Sequence, residues 1–426
     1  MDNPLKREKI ADGAHFSSVT DPRFKFNRIT FGFFVPLDEE KASLYALLPR
    51  LLSRNNAEFP KSKDFNNYLA SLYNAKSDFE VAGIGDTQIL GVSMNFMDDG
   101  YALHGEKITA AAANALFGCI FNPVLEKGLF PAKDVELCKR EQIEAIEAEI
   151  NEKSTYAANQ AKRILCEGEP AAVNPLGTVE RTREITPKAL IEACTELYSK
   201  AQIEIICAGC NDFSDALRIA KSVGGGVLDD PQRKNITPCE SAYSPLKSAV
   251  AEKTEKLPLL NQSKMVLGFK TDSRNRAAIS LMNNLYGGTL SSKLFLNVRE
   301  RLSLCYTCWS RVSKEKGIMY VRCGVGEDNI EKAKAEILAQ LELVKAGDFT
   351  DDELNSALLF EQNNIKTVND SLASLTWWYF TRIYSQEIKP PEEFLKNYDN
   401  ITREDIITTA KTMNLDTFYI LSGGDE

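Results

Sequence analysis

Four landmarks recur in the same order in the two halves of this chain, and self-similarity at one long period is the strongest constraint on its fold. The apolar run Arg28-Ile-Thr-Phe-Gly32-Phe-Phe-Val35 precedes a helical pattern over Glu39 to Leu52, and Lys264-Met-Val-Leu-Gly268-Phe-Lys270 precedes another from Asn275 to Leu285. Gly128-Leu-Phe130 opens a long helical stretch from about Ala132 to Cys166, and Gly347-Asp-Phe349 opens another, with the capping-box pattern Thr350-x-x-Glu353. Thr186-Pro187 reads as an N-cap followed by an N1 proline, and Thr402 repeats the cap in the second half. Each half then closes on an apolar strand, Ile203 to Gly209 and Thr417 to Gly423. The offset between matching landmarks shrinks steadily from the first pair to the last, as small deletions in one copy would produce. These landmarks predict two copies of one α+β unit, each a mainly antiparallel sheet packed against helices on one face. The expected boundaries are 1–223 and 259–426, joined by a linker over 224–258 that begins at Gly224-Gly225-Gly226 and contains Pro231, Pro238 and Pro245. The first copy is the longer between its opening strand and the Gly-x-Phe landmark, Gly32 to Gly128 against Gly268 to Gly347.

Composition narrows the chemistry. With 426 residues, 43% apolar and 26% charged, the chain is globular and long enough for two cores, which excludes collagen-like and disordered classes. A net charge of −9 argues against a large phosphate-binding surface, so no nucleic-acid partner is expected. There are only two histidines, His15 and His104, too few for any three-imidazole metal centre. Met1 to Arg7 leads into no signal-type apolar core, no run is long enough to span a bilayer, and ten cysteines are too dilute for a disulfide framework. A cytoplasmic protein with reduced thiols and no membrane contact is expected. Cys207/Cys210 and Cys305/Cys308 share the Cys-x-x-Cys spacing, but each pair lies within or beside an apolar strand and so reads as buried free thiols rather than as a zinc ribbon.

Tyr286-Gly-Gly-Thr-Leu-Ser-Ser-Lys293 lacks the order of a phosphate loop. The stretch that follows, Leu294 to Tyr306, places Leu294, Phe295, Val298 and Leu302 at helical spacing toward a core, with Arg299 beside that stripe and Tyr306 where the pattern turns to a strand. Two readings are open on the residues alone: a solvated arginine and an ordinary half-buried tyrosine, or two donors able to polarise a peptide carbonyl and stabilise an oxyanion.

The segment Gly287 to Tyr306 resembles the second-domain signature of the M16 metallopeptidases, the insulinase, pitrilysin and mitochondrial processing peptidase family, and the duplicated α+β half and Asn174-Pro-Leu-Gly177 fit the same family in order along nearly the whole chain. The resemblance implies two homologous M16-type domains. Active members bind zinc through an inverted His-x-x-Glu-His on the first helix after the opening strand, plus a glutamate on a later helix. Here Ala46, Pro49 and Arg50 stand where His, Glu and His are needed; none can ligate zinc or act as a base. The third-ligand position falls on Glu149 in one register and on Ala145 in another. His15 is followed by Ser18 and Val19 rather than Glu and His and precedes the opening strand; His104 has no companion ligand, so both read as structural. The family's substrate-binding arginine and tyrosine are retained as Arg299 and Tyr306. The resemblance therefore implies a bacterial zinc-less subunit with no metal or cofactor of its own. It would be inactive alone and pair with a zinc-bearing M16 homologue as a heterodimer around a peptide, with a homodimer open to the isolated chain. The rival expectation is a purely structural or peptide-binding M16-like protein without a peptidase role.

Overall fold

The computed structural model describes residues 5–424 apart from 211, 232, 234–239 and 259. Among the described residues eleven strands form two sheets: β1 (Lys6–Ala11), β2 (Ala14–Thr20), β3 (Phe26–Pro36), β4 (Lys76–Ile84), β5 (Thr87–Met97) and β6 (Gln202–Gly209) in the first, and β7 (Ala251–Pro258), β8 (Ser263–Lys270), β9 (Cys305–Ser313), β10 (Ile318–Val325) and β11 (Asn414–Gly424) in the second. Their orders are β1-β2-β6-β3-β5-β4 and β7-β11-β8-β10-β9. With β1 set aside the two orders correspond strand for strand, and the parallel pair, β2 with β6 and β7 with β11, falls at the same place in each. Every other neighbour pair is antiparallel. The architecture is α+β and duplicated, as the landmarks predict.

The expected caps form. The Thr186 side chain accepts from Ala189 N ahead of Pro187, and Thr350 and Thr402 each close a reciprocal box, with Glu353 and Asp405. In the first sheet Ile29, Phe31, Phe33 and Val35 of β3 point into a core shared with the helices Ala42–Leu52, Ile108–Phe121, Pro187–Lys200 and Ser214–Leu228. Gly32 and Phe34, on the alternate positions, face the helix Leu372–Tyr384: Phe380 stands edge-on to Phe34 at 5.5 Å, and a Cβ on Gly32 would lie 3.1 Å from the Phe380 ring. Both faces of β3 are therefore covered, which is why Ile29 to Val35 is buried without interruption.

The two compact units are discontinuous, unlike the continuous halves expected. One comprises 1–147, 173–240 and 368–390; the other comprises 148–172, 241–367 and 391–426. The long helical stretch after Ala132 breaks into Ala132–Glu147, a 3₁₀ turn Ala148–Asn151 and the helix Lys153–Leu165, and that last helix belongs to the second unit. There Ala157 and Ala161 pack on Val266 and Tyr419, and Leu165 lies 3.1 Å from where a Gly268 Cβ would stand. The helices Lys153–Leu165 and Leu372–Tyr384 occupy matching places in the two repeats, so each copy hands the equivalent helix to the other copy's sheet, where Leu165 and Phe380 stand over the equivalent glycines.

Two local expectations are corrected. The strand at Arg28–Val35 is the third, not the first, because the hairpin of polar β1 and largely buried β2 precedes it; His15 therefore sits within β2. The linker 224–258 begins inside the helix Ser214–Leu228 and ends in β7. Gly224 is a close-packing residue, where a Cβ would meet the Phe121 ring at 2.9 Å, and β7 is polar because it is an edge strand. Pro238 lies outside the described residues.

Candidate functional site

The Gly287–Tyr306 segment is built from two π-helical turns. The helix Arg276–Asn283, capped by the Asn275 side chain, runs into a π-turn at Asn284–Gly288, and a second spans Leu294–Arg301. Gly287 is a close-packing residue, since a Cβ would lie 2.6 Å from both Leu294 Cδ1 and Ser310 Oγ, which would have to shift. The segment is held from below: Tyr286 Oη donates to the Ile337 carbonyl at 2.8 Å, Asn297 Nδ2 to Gln340 Oε1 at 2.7 Å, and the buried Lys293 ammonium pairs with Glu353 at 3.1 Å. Leu294 and Val298 are fully buried as expected. Leu302 is not, because the wider winding, with Leu302 N bonded to Asn297 O, rotates it out of the stripe. Phe295 is half-buried and lines a cavity instead. At Ser303 the backbone turns left-handed, φ 48°, and enters β9.

Arg299 and Tyr306 are thereby brought to one cavity of about 430 Å³, with Glu300, Ser303 and Cys305 among its walls. The Arg299 guanidinium lies over the Phe295 ring at 4.6 Å and 3.6 Å from the Glu300 carboxylate. It also borders a second, apolar cavity of about 380 Å³ walled by Gly287, Phe295, Trp309 and Phe360. Tyr306 is 71% exposed and stands on β9 at the sheet edge, beside a bulge opposite Gly324 and Val325. A guanidinium, a phenol, an apolar trough and an edge strand together suit an extended peptide: the strand supplies main-chain hydrogen bonds and the two donors can meet a carbonyl.

Behind Tyr306, Cys305 and Cys308 are both buried, as expected of free thiols, and Cys323, which sequence reasoning did not connect with them, completes a cluster. Hydrogen bonds from the Cys308 and Cys323 thiols pull the pKa of the Cys305 thiol down to about 4, and those of Cys308 and Cys323 are pushed up by the same sharing.

The helix Ala42–Leu52 contains the positions that the resemblance aligns with the zinc motif. Ala46 is buried, Pro49 sits in the helix interior, and Arg50 reaches Glu141 at 3.2 Å while lying over the Phe79 ring at 4.5 Å. Arg54 reaches the same carboxylate at 2.8 Å. Burial pushes the Glu141 carboxyl up, but the two guanidiniums more than offset it and hold it below its ordinary range. These residues do not fit zinc: the methyl and pyrrolidine groups offer no ligand atom, and two guanidiniums are paired with the Glu141 carboxylate. Glu141 was missed by both sequence registers, although it lies on the same helical stripe as Ala145 and Glu149, one and two turns earlier. Glu149 lies in the 3₁₀ turn of the second unit and accepts from Asn159 at 2.9 Å. His15 stands 3.4 Å from the buried Glu204 carboxylate, and His104 is in an exposed turn.

The comparisons with known proteins point to peptidase-like relatives. The model of the Peptidase M16 inactive domain matches residues 184–359, a span that includes Arg299 and Tyr306. Over 432 aligned residues the chain is 26% identical to the probable inactive metalloprotease YmfF of Bacillus subtilis (strain 168), covering 99% of this chain and 98% of that one. The chain is thus similar to the M16 peptidases, through a domain match over 184–359 and a full-length likeness to a probable inactive metalloprotease. Its fold is shared with solved structures: a conserved protein from Enterococcus faecalis V583 superposes with a TM-score of 0.88 at 24% identity over 99% of both chains. The peptidase M16 inactive domain from Pseudomonas fluorescens gives 0.77 at 18% identity over 99% of this chain and 98% of that one.

Proposed function

We propose that this chain is the subunit of a bacterial M16-type peptidase that lacks the catalytic zinc, pairing with a homologue that bears it and holding peptide substrate for hydrolysis by the partner's metal. The observation that carries this reading is the contrast between the two sites. Arg299 and Tyr306 open into one cavity beside an edge strand, whereas the positions aligned with the zinc ligands hold Ala46, Pro49 and an Arg50–Glu141–Arg54 network. The name of the Bacillus subtilis relative, a probable inactive metalloprotease, supports the second half of that contrast. In this role an extended peptide adds to the free edge of β9, and Arg299 and Tyr306 donate to the scissile carbonyl as negative charge develops on it. Reduced thiols at nine described cysteines suit a cytoplasmic setting, and among the described residues no helix is long and apolar enough to cross a membrane.

The test is co-expression with a zinc-bearing M16 chain from the same genome. A 1:1 complex that cleaves peptides, when neither chain does so alone, is the expected result. Chelator-sensitive cleavage by the isolated chain, or failure to form any mixed complex, would refute the proposal; a mixed complex whose turnover ignores both Arg299 and Tyr306 would favour a purely structural role.

A further inference from the structure

Three thiols meet where β9 is irregular. Cys308 stands directly opposite Cys323 on β10, while Cys305 stands opposite Val325, and the register shifts between Gly324 and Val325. Three positions apart on a regular strand, Cys305 and Cys308 would point to opposite faces. The bulge returns Cys305 to the side of Cys308, which is why Cys305 and Cys308 are buried while Tyr306 and Thr307 between them are exposed. The Sγ atoms of Cys305, Cys308 and Cys323 all lie within 4.8 Å of one another.

That spacing is close to what a thiophilic cation requires. Zinc–thiolate bonds of about 2.3 Å in tetrahedral geometry set the sulfurs about 3.8 Å apart, so the cluster needs at most about 1 Å of contraction at flexible side-chain ends. Among the described residues no other Cys, His, Asp or Glu joins the group, leaving one tetrahedral position unfilled by the protein. Access exists from two sides, because Cys305 borders the cavity of Arg299 and Tyr306 and Cys308 borders the apolar one. Three soft donors without a carboxylate or imidazole select zinc over magnesium, calcium or manganese.

We propose that Cys305, Cys308 and Cys323 bind one Zn²⁺ as thiolates, with the fourth position open to water or a small donor from the Arg299 cavity. Binding forms three Zn–S bonds and releases to solvent the protons still held by the thiols. The ion pins β9 to β10 at the bulge and so fixes the base from which Tyr306 projects. The site shares no residue with the helix Ala42–Leu52, and it stands whether or not the chain pairs with a zinc-bearing homologue.

The experiment uses the full chain, reduced and stripped by chelator, titrated first with Co²⁺ and then with Zn²⁺. One equivalent of cobalt should bring thiolate-to-cobalt charge transfer and strong tetrahedral d–d absorption, and zinc should bleach both. Cys323→Ser should weaken zinc binding by more than the roughly 100-fold that loss of a supporting residue costs, whereas Cys210→Ser, in the other unit, should not. If Cys323→Ser fails to fold by circular dichroism, Cys305→Ser serves, and its cobalt complex should show charge-transfer intensity reduced to that of two thiolates. No cobalt bands at stoichiometric metal, binding indifferent to these serines, or a Cys308–Cys323 disulfide found in place of metal uptake would overturn the proposal.

Discussion

Replacing Gly32 and Phe380 by alanine, singly and together, tests the exchange of helices between the two copies. Phe380 is 2% exposed and its ring stands edge-on to Phe34, at 5.5 Å and 72°, directly over Gly32. Truncating it removes a buried ring and leaves a cavity, a loss of about 3–5 kcal/mol. Gly32→Ala has two opposed effects. Alanine in a strand interior is favoured over glycine by about 0.5–1 kcal/mol. The new Cβ, however, would lie 3.1 Å from Phe380 Cζ and 3.4 Å from Phe34 Cε2, atoms of packed rings that move only with their helix or strand. Overpacking of that kind costs about 1–3 kcal/mol, so the single variant should be destabilised by about 1 kcal/mol. Once Phe380 is alanine the obstruction is gone, and Gly32→Ala should turn mildly stabilising. The cycle should therefore show a coupling of about 2 kcal/mol. Urea unfolding in a Trp309→Phe background reads it, since the two remaining tryptophans, Trp377 and Trp378, both lie on the Leu372–Tyr384 helix. Additive effects, with coupling under about 0.5 kcal/mol, would refute the packing of that helix on β3.

Glu141→Gln should lower stability at neutral pH by about 1–2 kcal/mol by weakening charge-assisted bonds to Arg50 and Arg54. Because the folded state holds this carboxyl below its ordinary value of 4.5, its contribution is present above that value and is lost as pH falls through the lowered one. Thermal melts across the acid range should show a flatter acid limb in the variant; an equal deficit at every pH would contradict the assignment. Gly287→Ala should cost about 1–3 kcal/mol by forcing Leu294 and Ser310 apart, read as a lower urea midpoint, and an unchanged midpoint would mean that the π-turn tolerates a side chain. Thr350→Ala should cost about 1 kcal/mol through loss of the capping box, with Thr350→Ser recovering most of it in the same assay.

What was legible in the sequence was local or periodic. The caps at Thr186, Thr350 and Thr402 are set by side-chain bonds within a single helical turn, and the runs through Gly32 and Gly268 are buried on both faces, so each announces itself without knowledge of the rest. The glycines even mark where a helix will cross the sheet, but nothing local says that the crossing helix comes from the other copy. Edge strands β1 and β7 are polar on both sides and so lack the alternation that would reveal them. At the candidate site, Arg299 and Tyr306 were singled out by the family resemblance, since type and spacing alone left two readings open, whereas the exposure of Leu302 follows from π-winding that α-helical periodicity cannot express. Glu141 and Cys323 were invisible for a shared reason: each acquires meaning from a partner distant in the chain, Arg50 brought close by tertiary packing and Cys308 by the register of β9 on β10.

The most direct test of the central claim is peptide turnover by the mixed complex with a zinc-bearing M16 chain, measured for Arg299→Ala and Tyr306→Phe beside the unaltered protein. If these side chains stabilise the developing oxyanion, kcat should fall by about 100-fold for each, while the 1:1 complex assembles unchanged. Turnover equal to that of the unaltered complex in both variants would contradict the account.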